Sequence, residues 1–278
     1  MDTPSPAPPQ AAFVRAYPPM DPPTGPALWL LLRDGEVLVR GGALIESEGD
    51  PRGDGVNRTP LYLGTLGGRP CLADDLGPQE ALPEGCRLVP LRALFGQIGE
   101  AEFALAGYAS QMLYWRRTSG FCPVCGHEAE MRPGDWGRRC PRCGHVAYPH
   151  VTPAVLILVH DGGARILLGH KPGWGPRYSI LAGFVEPGES LEECVRCEVQ
   201  EEAGLEVADL VYAGSQPWPY PHQLMIGFTA RHAAGEPRVD AEELDDARWF
   251  TAETLPDLPP PVSLSRQMID AWTAAQTK

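Results

Sequence analysis

The sequence predicts a mixed α/β protein built of three folded parts behind a proline-rich arm, and three observations carry that prediction. Two β-hairpin patterns precede a helical stretch near the N-terminus. Two Cys-Pro-x-Cys-Gly pairs follow, and the C-terminal half combines strand-like apolar runs with an amphipathic helix crowded with carboxylates. The expected boundaries are a flexible or polyproline-like arm at 1–27, a small α+β domain at 28–117, a zinc ribbon at 118–149 and an α/β domain with a mixed sheet at 150–278. More than one domain is the ordinary outcome for 278 residues.

The arm is assigned from composition. Nine of the 31 prolines fall in "MDTPSPAPPQAAFVRAYPPMDPPTGP", which has few apolar anchors. It lacks the basic start of a secretory signal, and the apolar run "ALWLLL" that follows is short and ends at Arg33. The first hairpin is "ALWLLL-RDG-EVLVR", with Asp34-Gly35 as its turn, and the second is "LYLGTLGGRPCLA", turning at Gly67-Gly68. The intervening "EGDPRGDGVNR" is expected to be a loop. Residues 91–117 are expected to be helical with a break near Gly96–Gly99, because Leu105, Tyr108, Met112 and Trp115 recur at helical spacing.

The next segment, "FCPVCGHEAEMRPGDWGRRCPRCGH", has the spacing Cys-x2-Cys-x14-Cys-x2-Cys. Two tight turns each offering two thiolates suit tetrahedral zinc, and four thiolates close the coordination sphere, so one structural zinc per chain is expected on Cys122, Cys125, Cys140 and Cys143. His127 and His145 follow the pairs and are read as bystanders. Arg132, Arg138, Arg139 and Arg142 make the ribbon locally basic. Offsetting the doubly negative zinc-tetrathiolate is the preferred reading of them over an RNA-binding patch. The other four cysteines, Cys71, Cys86, Cys194 and Cys197, are scattered and read as reduced thiols.

In the third region "PAVLILVH" and "ARILLGH" read as strands joined by Asp161-Gly162-Gly163, and "LEVADLVYAGS", "LMIGFTARH" and "ARWF" add further strands. A C-terminal helix is expected in "SLSRQMIDAWTAA" behind a Ser cap. Between them, Ser190 with Glu193 makes a capping box and Gly204 a stop, which predicts a helix over 191–203. At 100° per residue, Leu191, Cys194, Val195 and Val199 form one apolar face. Glu198 and Glu202 fall inside that face and Glu201 at its edge, whereas Glu192, Glu193, Arg196 and Gln200 point away. A charge run is normally a solvated face; carboxylates aimed at the core at i and i+4 are costly unless a cation compensates them. An all-oxygen set suits Mg²⁺ or Mn²⁺. A Cys-x-x-Cys redox pair at 194 and 197 is not expected, because such pairs sit at helix starts with one exposed thiol.

The net charge of −13 is unfavourable for general nucleic-acid or anionic-lipid binding. An anionic substrate therefore needs a cation between it and the protein. No run of about 18 apolar residues is present, so no membrane span is expected and a cytoplasmic location is the default.

Residues 183–205, "GFVEPGESLEECVRCEVQEEAGL", resemble the signature of the Nudix hydrolases: Gly, five residues, Glu, seven residues, then Arg-Glu-aliphatic-x-Glu-Glu-x-Gly-aliphatic. Gly183, Glu189, Glu198, Val199, Glu201, Glu202, Gly204 and Leu205 all match, and Cys197 replaces the Arg. Ten residues on, "SQPWPYPHQLM" (215–225) resembles the SQPWPFPxS motif of the NAD(H) diphosphatase branch, as does the order of N-terminal domain, zinc ribbon and Nudix domain. Tyr220 for Phe is a mild departure. Gln223 stands where that motif has Ser, and His150 in "YPH" stands where the branch has Arg; with Cys197 these departures bear on orientation, substrate contact and rate. Prolines 217, 219 and 221 are expected to hold the motif extended.

The resemblance implies a Nudix α/β/α sandwich and metal-dependent hydrolysis of NAD(H) to AMP and nicotinamide mononucleotide. It makes Glu198 and Glu202 metal ligands and Glu201 either a ligand or the base. Ala182 is expected to supply a backbone carbonyl and Glu243 a late carboxylate. Phe184 and Trp218 are candidates to sandwich the nicotinamide, with Tyr148, Tyr220 and Gln223 at the site. The resemblance also implies a homodimer. Alternative functions are removal of NAD caps from RNA, hydrolysis of ADP-ribose or a related diphosphate, and a non-catalytic dinucleotide-binding module.

Overall fold

The computed structural model describes residues 13–17, 24–53, 58–239 and 243–276. Most of the arm expected at 1–27, namely 1–12 and 18–23, lies outside them. The chain divides into two compact units, one running to His150 and including Pro219–Pro221, the other Val151–Trp218 with His222 onward.

The first unit holds β1 (Phe13–Arg15), β2 (Ala27–Arg33), β3 (Glu36–Arg40), β4 (Ala43–Ser47), β5 (Leu61–Leu66), β6 (Arg69–Asp75), β7 (Cys86–Pro90) and helix α1 (Glu100–Thr118). Both expected hairpins form. Asp34 and Gly35 have φ of 49° and 81° between β2 and β3, and Gly67 and Gly68 have φ of 58° and 80° between β5 and β6, the left-handed pairs that two-residue hairpins need. The helical stretch breaks as expected, into a 3-10 turn at Leu91–Leu94 and α1. Strands β1, β4 and β7 were not expected; β4 follows a third two-residue turn, Gly41-Gly42. One seven-stranded sheet results, in the order β1-β5-β6-β2-β4-β3-β7. Leu105, Ala106, Ala109, Met112 and Leu113 of α1 cover one face of it.

The ribbon carries three two-residue strands, β8 (Glu130–Met131), β9 (Arg138–Arg139) and β10 (Val146–Ala147), and its two Cys turns repeat one geometry. Cys122 N–H donates to His127 O and Gly126 N–H to Cys122 O; Cys140 N–H donates to His145 O and Gly144 N–H to Cys140 O. His127 and His145 thus contribute main-chain carbonyls to the turns. Arg138 lies over the Trp115 ring at 5.6 Å and Arg132 pairs with Asp135 and Tyr148, so two of the four ribbon arginines are engaged within this unit.

The second unit contains β11 (Thr152–His160), β12 (Ile166–His170), β13 (Leu181–Phe184), α2 (Leu191–Ala203), β14 (Glu206–Trp218), β15 (Gln223–Ala234), β16 (Asp246–Phe250) and α3 (Leu264–Gln276). The sheet order is β14-β15-β11-β12-β16 with β13 on β11, and it is mixed because β11 and β15 run parallel. Strand β13 was not expected. Alternation along β11 builds two cores. Val155, Ile157 and Val159 face α2 with Cys194, Val195, Val199 and Ala203, whereas Leu156 and Leu158 face α3 with Leu264, Met268 and Ile269. This is the α/β/α sandwich. Ser263 caps α3, its hydroxyl accepting from Arg266 N–H at 3.3 Å.

Candidate active site

Helix α2 is bounded as its sequence dictates. Ser190 and Glu193 make the reciprocal capping box, and Gly204 ends the helix at φ 68°. Cys194, Val195 and Val199 are buried, and Glu192, Glu193, Arg196 and Gln200 are exposed. Glu202 is fully buried and Glu198 half-buried, on the apolar face. Val195 and Val199 each contribute about 1.5–3 kcal/mol by burial, and an uncompensated buried carboxylate costs several kcal/mol. Turning Glu202 inward is therefore tolerable only with partners, and two are present. Lys171 Nζ donates to Oε1 at 2.9 Å, and the Ala182 N–H donates to Oε2 at 3.3 Å.

Gly183 makes room for Glu198. A Cβ built there would lie 1.7–2.0 Å from the Glu198 carboxylate, so the helix can approach β13 at this point only over a glycine. Oxygens of Glu198, Glu202 and Glu243 come within 4.8 Å of one another. Burial first, then the charges of Glu202, Glu201 and Glu243, push the Glu198 carboxyl up to about 7; Lys171 opposes them. Burial also raises Glu202, against the Lys171 bond and the Ala182 N–H. Three convergent carboxylates, two of them held above the usual range and an all-oxygen set, fit a hard divalent cation.

Glu201 is not in this group: its side chain is exposed and lines a groove with Arg196, Cys197, Gln200 and Leu205. Ala182 is adjacent, its N–H donating to Glu202. The ribbon thiolates also converge. Cys122 Sγ and Cys143 Sγ are 3.6 Å apart and Cys125 Sγ and Cys140 Sγ 3.5 Å, close to the roughly 3.8 Å edge of a zinc–thiolate tetrahedron with bonds of about 2.3 Å.

The aromatic candidates separate. Sheet register puts Phe184 opposite Ala154, and Trp218 opposite Gln223, which stands opposite Thr152. Phe184 and Trp218 therefore share the α3 face at one end of the sheet, with β11 and β15 between them, offset by about 14 Å across the strands and about 7 Å along them. Phe184 is half exposed and Trp218 partly buried. Tyr220 departs from expectation. The motif is extended only to Trp218 and then turns through Pro219–His222 so that Trp218 can pair with Gln223. Pro219–Pro221 cluster with the first unit, where Arg92 covers the Tyr220 ring at 4.1 Å. Tyr148, in the first unit, is exposed and bonded by Arg132. Gln216 of the same motif clamps the start of α3, donating to Val262 O at 2.8 Å and accepting from Leu264 N–H at 2.7 Å.

Lys171 was missed by the sequence reading. Its signal was rarity: lysine occurs twice in the chain, at 171 and 278, while arginine serves everywhere else.

A helix carrying inward carboxylates beside a glycine-floored strand, on a mixed sheet between two helices, defines a metal-dependent phosphohydrolase of the Nudix class. A model described as "NUDIX domain" matches residues 150–272, "NADH pyrophosphatase-like rudimentary NUDIX domain" matches 26–115, and "NADH pyrophosphatase zinc ribbon domain" matches 117–148. The protein named NAD-capped RNA hydrolase NudC of Deinococcus radiodurans is 40% identical over 88% of this chain and 86% of its own length. The protein of the same name from Pseudomonas aeruginosa is 41% identical over 77% of each chain. A solved NUDIX hydrolase from Nitrosomonas europaea covers 56% of this chain and 92% of its own, at 23% identity and a TM-score of 0.48. The chain belongs to the Nudix hydrolases, in the branch of the NADH pyrophosphatases with a zinc ribbon.

A divalent cation on Glu198 would compete with a proton. Because Glu198 titrates near 7 without metal, Mn²⁺ affinity should fall roughly tenfold per pH unit below that value. The same shift acts on folding. A carboxyl raised above its unfolded value of 4.5 stabilises the metal-free fold at acid pH and loses that contribution as pH rises through about 7. Zinc-loaded protein in Mg²⁺-free buffer should therefore melt lower at pH 8 than at pH 6, and Mg²⁺ should raise Tm more at pH 8. Equal Mg²⁺ effects at both values would contradict this titration.

The Cys197 thiol is exposed. Desolvation, then Glu189, then Glu201 and Glu193 hold it above its usual value. Positions 193 and 201 lie four residues from 197 on the helix, but the fold puts Glu189 first among the neighbouring carboxylates. Glu189 in turn accepts from Glu186 N–H at 3.0 Å in the turn leading into α2. Cys197→Arg should brace this turn by a charge-assisted bond and raise kcat or metal affinity, by up to about tenfold, with substrate preference unchanged. Steady-state kinetics with a Mn²⁺ titration measures both.

No helix among the described residues is long and apolar enough to cross a membrane.

Proposed function

We propose that this protein hydrolyses the diphosphate of NAD(H), with water attacking one phosphorus to release AMP and nicotinamide mononucleotide. The observation that carries the reading is the Glu198–Glu202–Glu243 group, two carboxylates on α2 and one just before β16, in a chain with the domain order of an NADH pyrophosphatase. These three carboxylates are the proposed ligands of Mg²⁺ or Mn²⁺, which when bound neutralises phosphate charge and acidifies the attacking water. Lys171 holds Glu202 and keeps a cation beside the diphosphate. Phe184 and Trp218 are proposed to flank the nicotinamide, with Gln223 nearby.

Product analysis with NADH and Mn²⁺ tests the reading. AMP and reduced nicotinamide mononucleotide in equal amounts are expected. Binding without cleavage would make the protein a dinucleotide sensor, and faster cleavage of ADP-ribose would move its substrate. Trp218→Ala should lower kcat/KM for NADH about fivefold more than for ADP-ribose, since ring stacking is worth about 1 kcal/mol. Equal losses would make Trp218 a support of the hairpin.

The names of the relatives favour a second substrate, RNA carrying a 5′ NAD cap. The same catalytic group serves it. With a net charge of −13 and two ribbon arginines engaged internally, the RNA body should add little affinity, so kcat/KM on capped RNA should depend weakly on salt. A homodimer is proposed on family resemblance, and a monomer mass by light scattering would remove it.

A further inference from the structure

Of the three clustered carboxylates, Glu243 has the weakest local support. Glu198 and Glu202 ride on a capped helix packed against the sheet. Glu243 is exposed in the connection between β15 and β16, with residues 240–242 before it outside the described ones. Its placement depends on the three residues that follow. Leu244 is buried in the α2-side core. Asp245 N–H donates to the His170 carbonyl at 3.1 Å. Asp246 begins β16, in register with His170 at the end of β12.

The His170 side chain adds a bridge that the strand ladder does not supply. Its Nδ1 meets the Asp245 carboxylate, and its Nε2 meets the carbonyl of Gly175. Both partners only accept hydrogen bonds. A neutral imidazole has one N–H, so the ring makes both bonds as the imidazolium. Gly175 belongs to the loop that starts at Lys171, and Lys171 is the residue bonded to Glu202. One ring therefore ties the segment carrying Glu243 to the loop carrying Lys171. The ring is itself backed by Tyr178 at 5.1 Å, whose hydroxyl donates to Asp246, and Asp246 pairs with Arg248.

We infer that His170 is a positioning residue of the metal centre, which by bridging Asp245 to Gly175 sets Glu243 and Lys171 against the α2 carboxylates together. The inference rests on the proposed role of Glu243 as a metal ligand. His170 touches neither metal nor substrate; it acts on the geometry of the groups that do, as outer partners of metal ligands do.

The test is Mn²⁺ affinity of the free, full-length protein, read by the loss of the free-ion EPR signal, with kcat and KM for NADH measured alongside. His170→Ala should weaken Mn²⁺ binding about 10–100-fold and lower kcat more than it raises KM. Asp245→Asn should weaken binding in the same direction, and it carries the test if His170→Ala fails to fold. The decisive measurement is the combination with Glu243→Gln. Because part of the His170 effect passes through Glu243, adding His170→Ala to Glu243→Gln should weaken Mn²⁺ binding by clearly less than His170→Ala does on its own. Losses that combine in full, or unchanged affinity in both His170→Ala and Asp245→Asn, would overturn the positioning role while leaving the metal site standing. Unchanged affinity in Glu243→Gln would remove both together.

Discussion

Glu202→Gln and Glu198→Gln are each expected to lower kcat/KM for NADH by at least about 100-fold, beyond what loss of outer support of a ligand costs. The two substitutions should differ in stability. Glu198 is held near 7 by burial and by neighbouring carboxylates. A neutral, nearly isosteric amide relieves that repulsion at pH 8, so Glu198→Gln should raise the Tm of the metal-free protein while removing its activity, the trade expected where a functional site is built from mutually unfavourable charges. Glu202→Gln removes the partner of Lys171, whose side chain is 32% exposed and can rehydrate, so its Tm should change little. Glu192→Gln is the control: its side chain is exposed on the opposite face, and it should leave both kcat/KM and Tm unchanged. Equal activity losses at 192 and 202 would undo the assignment of the inward helix face.

The second large effect is in the ribbon. Cys122→Ser with Cys125→Ser removes half of a four-thiolate set, and a structural zinc of this kind is worth on the order of 10–16 kcal/mol of folding free energy. Elemental analysis should find one zinc per chain in the parent and none in the variant. The loss should be visible at Trp136, which is buried, meets Trp115 edge-on at 6.1 Å and donates its indole N–H to Ala16 O at 3.0 Å. Its fluorescence should shift red, and the ribbon amides should lose exchange protection. Unchanged zinc content with native fluorescence would sink the zinc assignment.

These two effects were legible before the fold was known because both depend on local patterns. Four thiols at Cys-x2-Cys spacing carry their geometry with them. A capping box, an apolar stripe and a glycine stop place Glu198 and Glu202 on the inner face of α2 wherever that helix packs. The hairpins at Asp34-Gly35 and Gly67-Gly68 were readable for the same reason, since a two-residue turn specifies its own backbone angles. Strands β4, β7 and β13 were missed because short strands of four or five residues have little periodicity to read, although Gly41-Gly42 offered a turn signal before β4.

What the sequence by itself determined is therefore the set of elements that encode their own geometry within about a dozen residues: the ribbon, the capped carboxylate helix and the tight hairpins. Only the tertiary structure decided which groups complete the site. Glu243 stands among several acids in "AEELDD", and among the described residues of that stretch the β12–β16 register brings it to the α2 carboxylates. Glu201 lies outside the cluster, Tyr220 meets Arg92, Lys171 bonds Glu202, and His170 ties Asp245 to Gly175 beside it. The physical reason is separation along the chain. Lys171 lies 31 residues from Glu202, and His170 lies 75 residues from Asp245. Contacts at that distance are set by strand pairing and core packing, for which no local periodicity in the sequence provides a code.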